Sequence, residues 1–217
     1  MRHAHQAKLF DVEKQLLNGL VYKPDFLTPE EEEIILINIE NLQLRTAYYQ
    51  PDELKTEKYK SKRRHLGFGW GYDSEREEFI KGEPLPRFLE PVKKRIAKWL
   101  GISHTRVVEA LINEYTPGSA IGWHRDRERF EHIVGISLSG WARMRFRPLP
   151  GSEKVFRSVV TSTKSEENLF RTPVLSVELE PRSAYIMQSD VRWRWQHSVA
   201  PVEALRYSIT FRTLPTT

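Results

Sequence analysis

The second half of this chain is a succession of short strand-like segments, and this pattern limits the possible folds more than any other feature. Segments rich in β-branched and aromatic residues alternate there with prolines, glycines and polar turn residues. Eight short strands with little helix between them predict a β-sandwich or barrel of the jelly-roll type. The predicted strands are Val107 to Tyr115, Ile133 to Ser139, Ala142 to Phe146, Val155 to Val160, Val174 to Leu179, Ser183 to Met187, Gln196 to Val199 and Tyr207 to Thr213.

Two helices are predicted ahead of most of these strands. The first begins with Thr28 as N-cap, Pro29 at the first helical position and Glu31 completing a capping box. The second runs from near Leu85 to Leu100 and ends at Gly101. Core-facing residues are expected to be Ile34, Ile35, Ile37 and Ile39 in the first helix, and Phe88, Leu89, Val92, Ile96 and Trp99 in the second. The predicted fold class is therefore mainly β with supporting helices, around a double-stranded β-helix core (jelly roll, cupin-like).

Composition favours one packed domain and restricts the chemistry that it can support. The 217 residues are long enough for one buried core, and the absence of cysteine leaves only histidines and carboxylates as strong metal ligands. The start of the chain lacks an apolar signal stretch, and no segment approaches the length of a membrane span. We expect a cytoplasmic protein, with a nuclear or nucleoid-associated location left open. The net charge of +5 favours polyanions without naming one.

The last predicted strand carries two arginines on one face. In the run from Arg206 to Arg212, a period of two puts these arginines with Ser208 and Thr210 on one side and apolar residues on the other. Two guanidinium groups aimed the same way above an apolar back predict that an anion meets them. An alternative is pairing across the sheet with the carboxylates of Glu178, Glu180 or Glu203.

Two histidines and one aspartate form a candidate metal site. His124 and Asp126 are two positions apart after a Gly- and Pro-containing loop, and His197 lies on a later predicted strand. Two imidazoles and a carboxylate are the ligands of non-haem Fe(II) oxygenases, in which open positions remain for the co-substrate and dioxygen. The alternatives are a surface salt bridge for Asp126 and a hydrogen-bonded core role for His197.

Four elements in a fixed order carry a resemblance to a known family. They are Asn113-x-Tyr115, His124-x-Asp126, the distal His197 and Arg206-x-Ser208-x-Thr210-Phe211-Arg212. With these elements, residues 107 to 213, and more loosely 19 to 100, resemble the AlkB family of Fe(II)- and 2-oxoglutarate-dependent dioxygenases. The resemblance implies a dioxygenase that uses Fe(II), 2-oxoglutarate and O2.

The resemblance also implies roles for individual residues. Fe(II) would be bound by His124, Asp126 and His197, which would thereby be the catalytic residues. The distal carboxylate of 2-oxoglutarate would be held by Arg206, Ser208 and Tyr115, and the carboxylate near the metal by Arg212 and Asn113. Both ends of one small dicarboxylate then meet the demand for an anion that the two arginines create.

Basic and aromatic residues near these motifs predict a nucleic acid substrate. Three alternating arginine runs start at Arg125, Arg143 and Arg192, and a further basic cluster precedes the sequence from Gly67 to Tyr72. In the AlkB family the equivalent region forms a lid over the target base, and glycines beside aromatics are typical of a mobile flap. The candidate substrate residues are Glu128, Arg63, Arg64, Phe68, Trp70, Tyr72, Trp123, Arg143, Arg145 and Trp195.

The leading functional hypothesis is oxidative demethylation of alkylated bases in DNA or RNA, with a single-stranded or flipped base as substrate. The residues around His197 are more similar to a subgroup with tRNA-modifying members, so tRNA or a protein side chain stays open as substrate. A catalytically idle nucleic-acid-binding module is a third hypothesis. We expect one monomeric domain with an N-terminal extension (1–20), helices and a nucleotide-recognition lid (21–106) and a catalytic core (107–213).

Overall fold

A computed structural model describes residues 17–49, 59–73, 78–149 and 174–215. The described chain forms two antiparallel sheets that enclose a cavity between them. The strands are β1 (Leu20–Lys23), β2 (Arg45–Tyr49), β3 (Tyr59–Asp73), β4 (Glu78–Lys81), β5 (Val107–Tyr115), β6 (Ile121–His124), β7 (Ile133–Leu138), β8 (Ala142–Pro148), β9 (Leu175–Leu179), β10 (Ala184–Met187), β11 (Trp195–Val199) and β12 (Arg206–Thr213).

The larger sheet places the arginine strand at its centre. Its order is β1-β10-β7-β12-β5-β3-β2, with β4 paired to β3, and the smaller sheet has the order β6-β11-β8-β9. Mixing of early and late strands in both sheets is the topology of a jelly roll. The predicted fold class, mainly β with a jelly-roll core, is confirmed. The predicted strand Val155 to Val160 lies outside the described residues.

Helices α1 (Pro29–Glu40) and α2 (Glu90–Leu100) cover the outer face of the larger sheet. The Thr28 capping box forms as predicted, and Gly101 ends α2 in the left-handed conformation with a φ of 68°. The prediction for the isoleucines of α1 was half wrong, since Ile34 and Ile37 are 57% and 53% exposed. Residues four apart share a helix face, so Ile35 and Ile39 are buried while the other two turn toward solvent.

Two apolar clusters follow from this layering. The first lies between the helices and the larger sheet and includes Tyr207, Ile209 and Phe211 of β12. The second lies between the sheets and includes Phe146 and Val199 of the smaller sheet. Because alternate residues of β12 face opposite sides, one strand closes the first cluster with its apolar face and lines the cavity with its polar face.

The region predicted as a mobile flap forms part of a long strand, β3, which pairs with β5 and then with β4. Gly69, with a φ of 82°, marks the change of partner. A Cβ at this position would lie 2.0 Å from the carbonyl oxygen of Val108. Glycine is required there because any side chain would clash with the neighbouring backbone at this positive φ.

Candidate active site

Between the two sheets lies a cavity of about 630 Å³. Its floor is the polar face of the larger sheet, where strand pairing sets the neighbours. At one end Tyr115 is paired with Arg206, and at the other end Glu109 is paired with Arg212. Between them Ser208 is paired with both Asn113 and Ser137. The cavity is therefore polar along its length, with one arginine near each end.

The smaller sheet contributes the histidines. His124 ends β6 and is paired with His197 of β11, so the antiparallel register brings together two residues that are 73 positions apart. Their ring centroids are 4.2 Å apart. Asp126 follows β6, with its Oδ2 at 3.3 Å from Nε2 of His197. One ligand atom from each of the three residues lies within 4.8 Å of the others.

The orientation of the three side chains fits a metal ion. Nδ1 of His124 lies 2.9 Å from the carbonyl oxygen of Gly122, and since a carbonyl only accepts, Nδ1 carries the proton. Nε2 is then the nitrogen with a free lone pair, as in metal sites where the other ring nitrogen donates to a carbonyl. The donor set, two imidazoles and a carboxylate, matches that of Fe(II) oxygenases.

The charge states of the ligands also suit metal binding. Burial is the main reason that the pKa of His197 is lowered to about 3, so the ring is neutral at physiological pH. For Asp126, burial alone would raise the pKa, but the guanidinium of Arg212 with His197 and His124 outweighs burial and holds the pKa well below its usual range. The aspartate is therefore ionised and the histidine is not.

Arg212 contacts two carboxylates. It donates from Nε and Nη2 to Oδ1 of Asp126 at 2.9 and 2.6 Å, and from Nη1 to Oε1 of Glu109 at 3.0 Å. The sequence had offered Glu178, Glu180 or Glu203 as partners, and this was wrong because the register pairs Arg212 with Glu109 on β5. Asn113, expected beside Arg212, instead accepts from Arg63 at 3.3 Å.

Arg206 is buried at the other end of the cavity, with 2% of its surface exposed. Its Nε donates to Oγ of Ser137 at 3.1 Å, and its guanidinium lies 4.9 Å from the ring centroid of Tyr115. Its Nη1 is buried and has no hydrogen-bond partner among the described residues. A buried cation with an unmet N–H group fits the carboxylate of a small dicarboxylic acid. The residues present therefore fit 2-oxoglutarate.

The predicted lid residues lie in different surroundings. Phe68 packs against the first apolar cluster. Trp70, just past the bend at Gly69, has the guanidinium of Arg129 5.4 Å from its ring centroid, and this arginine directly precedes the cavity-lining Phe130. The side chain of Tyr72 lies outside the described residues. Of the two aromatics whose side chains are described, Phe68 and Trp70, it is Trp70 that lies beside the loop following Asp126.

Arg63 and Arg64 point to opposite sides of β3. Arg63 lines the cavity, whereas Arg64 binds the carboxylate of Glu114 with hydrogen bonds of 2.7 and 2.5 Å. Alternation along a strand makes this division unavoidable. The prediction that both serve the same substrate surface is therefore not supported by their placement.

The arginine run on β8 lies on the outer face of the smaller sheet. Met144 and Phe146 face the second apolar cluster, so Arg143, Arg145 and their neighbour Arg147 face away from it. The guanidinium groups of Arg145 and Arg147 lie 5.2 and 4.6 Å from the ring centroid of Trp123. Arg143 and Arg145, which were predicted to contact substrate, therefore lie on the face of the smaller sheet that is turned away from the cavity. Arg143 binds Glu178 at 2.6 Å.

The arginine run that starts at Arg192 begins in a short helix and not on a strand, so the alternation expected of a strand does not apply to it. Residues Ser189–Trp193 form a short helix, α3, and Arg192 is 2% exposed. It donates to the carbonyl oxygens of Asp126 at 3.3 Å, Arg127 at 2.5 Å and Phe130 at 2.8 Å. A buried guanidinium with five donors is suited to hold a loop through its carbonyls. Arg192 thus braces the loop that carries Asp126.

Two further substrate candidates have other surroundings. Trp195 is 3% exposed and belongs to the second apolar cluster, so it is a core residue. The side chain of Glu128 is 77% exposed and accepts from Arg125 at 3.2 Å. Glu128 is therefore in an exposed salt bridge with Arg125.

Sequence reasoning missed Glu109, Ser137 and Tyr185, all of which touch the site. Glu109 lies four positions before Asn113 on the same strand, so the period of two could have placed it on the cavity face. Tyr185 lies across Gly135, where a Cβ would come within 2.2 Å of its ring, and this contact required the pairing of β10 with β7. Burial raises the pKa of Tyr185, so its hydroxyl stays protonated.

Comparison with known proteins identifies the family. A sequence profile of the 2OG-Fe(II) oxygenase superfamily matches residues 19–212, which contain the three candidate metal ligands and both arginines. The chain belongs to this superfamily. It is therefore an Fe(II)- and 2-oxoglutarate-dependent dioxygenase, and O2 is its other co-substrate.

Three known proteins are similar to this oxygenase. L905, an uncharacterized protein of Acanthamoeba polyphaga mimivirus, is 24% identical, with 91% of this chain and 86% of L905 covered. The tRNA (carboxymethyluridine(34)-5-O)-methyltransferase alkbh8 of Xenopus tropicalis is 28% identical over 84% of this chain, which spans only 25% of that protein. The solved structure of OsALKBH1 is similar with a TM-score of 0.58, 14% identity and coverage of 90% and 96% of the two chains.

Within the described ranges, no helix is long and apolar enough to cross a bilayer.

Proposed function

We propose that this oxygenase removes methyl groups from alkylated bases of DNA or RNA. The observation that carries the proposal is the placement of the candidate ligands and Arg206 around one cavity, with Arg125 and Arg127 also on its lining. Cationic residues at the entrance to a site attract phosphates of a nucleic acid backbone. A single extruded base could then enter a cavity of about 630 Å³.

In this proposal His124, Asp126 and His197 bind Fe(II), and Arg206 and Arg212 hold the two ends of 2-oxoglutarate. When bound, iron and 2-oxoglutarate supply the activation of O2 and the oxidation of a C–H bond. One oxygen atom enters the methyl group and the other enters succinate, with CO2 released. The resulting hydroxymethyl group on nitrogen loses formaldehyde when its C–N bond breaks, and the ring nitrogen keeps the electron pair.

The protein's own groups prepare the site for this chemistry. Arg192 holds the loop of Asp126 through three backbone carbonyls, and Arg212 orients the carboxylate. Tyr185 and Phe130 line the cavity and help to exclude bulk water from it. Trp70 beside Arg129 offers an aromatic face on which a base can stack.

The test is release of succinate and formaldehyde from methylated oligonucleotides. Wild-type protein is expected to release both in proportion, and His197→Ala to release neither. His104→Ala, which changes an exposed histidine outside the cavity, is the matched control and should behave as wild type. Equal turnover by wild type and His197→Ala would refute the proposal.

A second candidate substrate is tRNA, favoured by the similarity to alkbh8, which is named as a methyltransferase of a tRNA uridine. Turnover of 2-oxoglutarate with methylated DNA, with tRNA and with protein extracts separates the candidates, because the true substrate accelerates it. An idle binding module is the third candidate, and 2-oxoglutarate-dependent O2 consumption would eliminate it. We also propose that the oxygenase acts as a single monomeric domain.

A further inference from the structure

Two arginines flank Tyr115, at the end of the cavity opposite the three candidate metal ligands. Arg206 is paired with Tyr115 on one side. On the other side the pairing of Arg64 with Glu114 places Arg63 of β3 next to Tyr115. Both arginines and the tyrosine line the cavity. Strands on either side of β5 thus direct one guanidinium each toward the same region.

Both guanidinium groups have a buried N–H without an acceptor. Nε of Arg63 and Nη1 of Arg206 are buried and find no hydrogen-bond partner among the described residues. The side-chain acceptors that they do have are neutral: Asn113 for Arg63 at 3.3 Å and Ser137 for Arg206 at 3.1 Å. Arg206 is buried and Arg63 is partly buried, and a guanidinium withdrawn from water that meets only neutral acceptors is costly unless an anion completes the site.

The described carboxylates near the cavity form salt bridges with other arginines. Asp126 and Glu109 bind Arg212 at the opposite end, and Glu114 binds Arg64 on the other face of β3. Among the described residues, no carboxylate therefore pairs with either Arg63 or Arg206. A carboxylate with two oxygens can accept from two guanidinium forks at once.

We propose that Arg63 is a second arginine of the 2-oxoglutarate site and binds the distal carboxylate together with Arg206. This inference rests on the part of the proposed function that places 2-oxoglutarate in this cavity, and it is independent of the nucleic acid substrate. Arg63 is thereby assigned to binding of the co-substrate, whereas the sequence had suggested that it binds the substrate. Arg63 then selects 2-oxo acids that carry a second carboxylate.

Calorimetric titration of the full chain, with Mn(II) in place of iron and without oxygen, tests this selection directly. The ligands are 2-oxoglutarate and 2-oxobutyrate, a 2-oxo acid that lacks the distal carboxylate. Arg63→Gln should weaken 2-oxoglutarate binding about ten- to a hundredfold and leave 2-oxobutyrate binding unchanged. Arg63→Lys should give a smaller loss, because a point charge replaces only part of a planar fork.

Arg64→Gln is the matched control, since it changes the neighbouring arginine on the opposite face, and it should bind both acids as wild type does. Melting temperatures of all variants show that they are folded. Unchanged 2-oxoglutarate binding in Arg63→Gln, or equal loss for both acids, would overturn the assignment, and so would a loss confined to oligonucleotide binding. Wild-type protein that binds no 2-oxoglutarate would refute the proposed function as well.

Discussion

Arg212 gives two of its N–H groups to a single oxygen of Asp126. Nε and Nη2 lie 2.9 and 2.6 Å from Oδ1, while Oδ2 faces Nε2 of His197 at 3.3 Å. The oxygen that Arg212 occupies is thereby less available to a metal ion, and Oδ2 is left to bind it. Glu109 balances the charge of Arg212 from the other side. The arginine thus decides which oxygen of Asp126 serves as ligand.

Loss of this contact should weaken metal binding. Arg212→Met keeps an unbranched apolar stem but removes both hydrogen bonds to Asp126, and hydrogen-bonded supports of metal ligands typically contribute about ten- to a hundredfold in affinity. We expect a loss of that size in Mn(II) affinity, measured without 2-oxoglutarate. Arg206→Met is the control, because Arg206 contacts Ser137 and Tyr115 rather than the ligands. An unchanged Mn(II) affinity in Arg212→Met would contradict the assignment.

Arg206→Lys should raise the requirement for 2-oxoglutarate. A lysine retains the charge but not the planar fork, and its point charge leaves fewer hydrogen bonds to a carboxylate. We expect the KM for 2-oxoglutarate to rise about tenfold or more while kcat changes little. Arg143→Lys, on the outer face of the smaller sheet, serves as control and should leave the KM unchanged. The measurement is succinate release as a function of 2-oxoglutarate concentration.

His197 should make the metal-free protein less stable in mild acid. Its pKa is lowered from 6.5 to about 3 in the folded state, so the unfolded chain binds the extra proton between these pH values. The stability that this residue contributes is complete above pH 6.5 and is lost as the pH falls toward 3. The free energy of unfolding, measured by urea denaturation with a chelator present, should therefore fall over this window. In His197→Gln the decline should be smaller.

The glycines of β3 should differ in their tolerance of a side chain. Gly69→Ala places a Cβ 2.0 Å from the oxygen of Val108 at a positive φ, so the free energy of unfolding should fall by about 1–3 kcal/mol. Gly67→Ala meets nothing closer than Leu111 at 3.7 Å and should change it by less than about 1 kcal/mol. Urea denaturation distinguishes them. Equal tolerance at both positions would contradict the assigned role of Gly69.

Substitution of Phe68 should mainly lower stability, whereas substitution of Trp70 should mainly weaken substrate binding. Phe68→Ala removes packing from the first apolar cluster and should lower the free energy of unfolding by roughly 3 kcal/mol. Trp70→Ala should raise the KM for a methylated oligonucleotide about tenfold, the effect of losing one stacking contact. Substrate-free turnover of 2-oxoglutarate should stay at the wild-type rate in Trp70→Ala. A substrate KM that depends on Phe68 instead would place the base elsewhere.

Some features of this protein follow from the order of its residues alone. The period of two along the last strand put Arg206 and Arg212 on one face, and the spacing of His124 and Asp126 let both reach one point. These are local properties, because alternation along a strand does not depend on what the strand pairs with. The jelly-roll class, the helix caps and the candidate ligands were therefore predictable, and the family assignment agrees with them.

Tertiary structure decided what each charged side chain meets. Glu109 rather than Glu178 faces Arg212 because β12 pairs with β5. Arg192 braces the loop of Asp126 because a short helix turns it inward. Arg145 lies behind the site because Met144 faces the core. Such contacts depend on register between strands far apart in the chain, where a shift of one residue moves a side chain to the opposite face of the sheet.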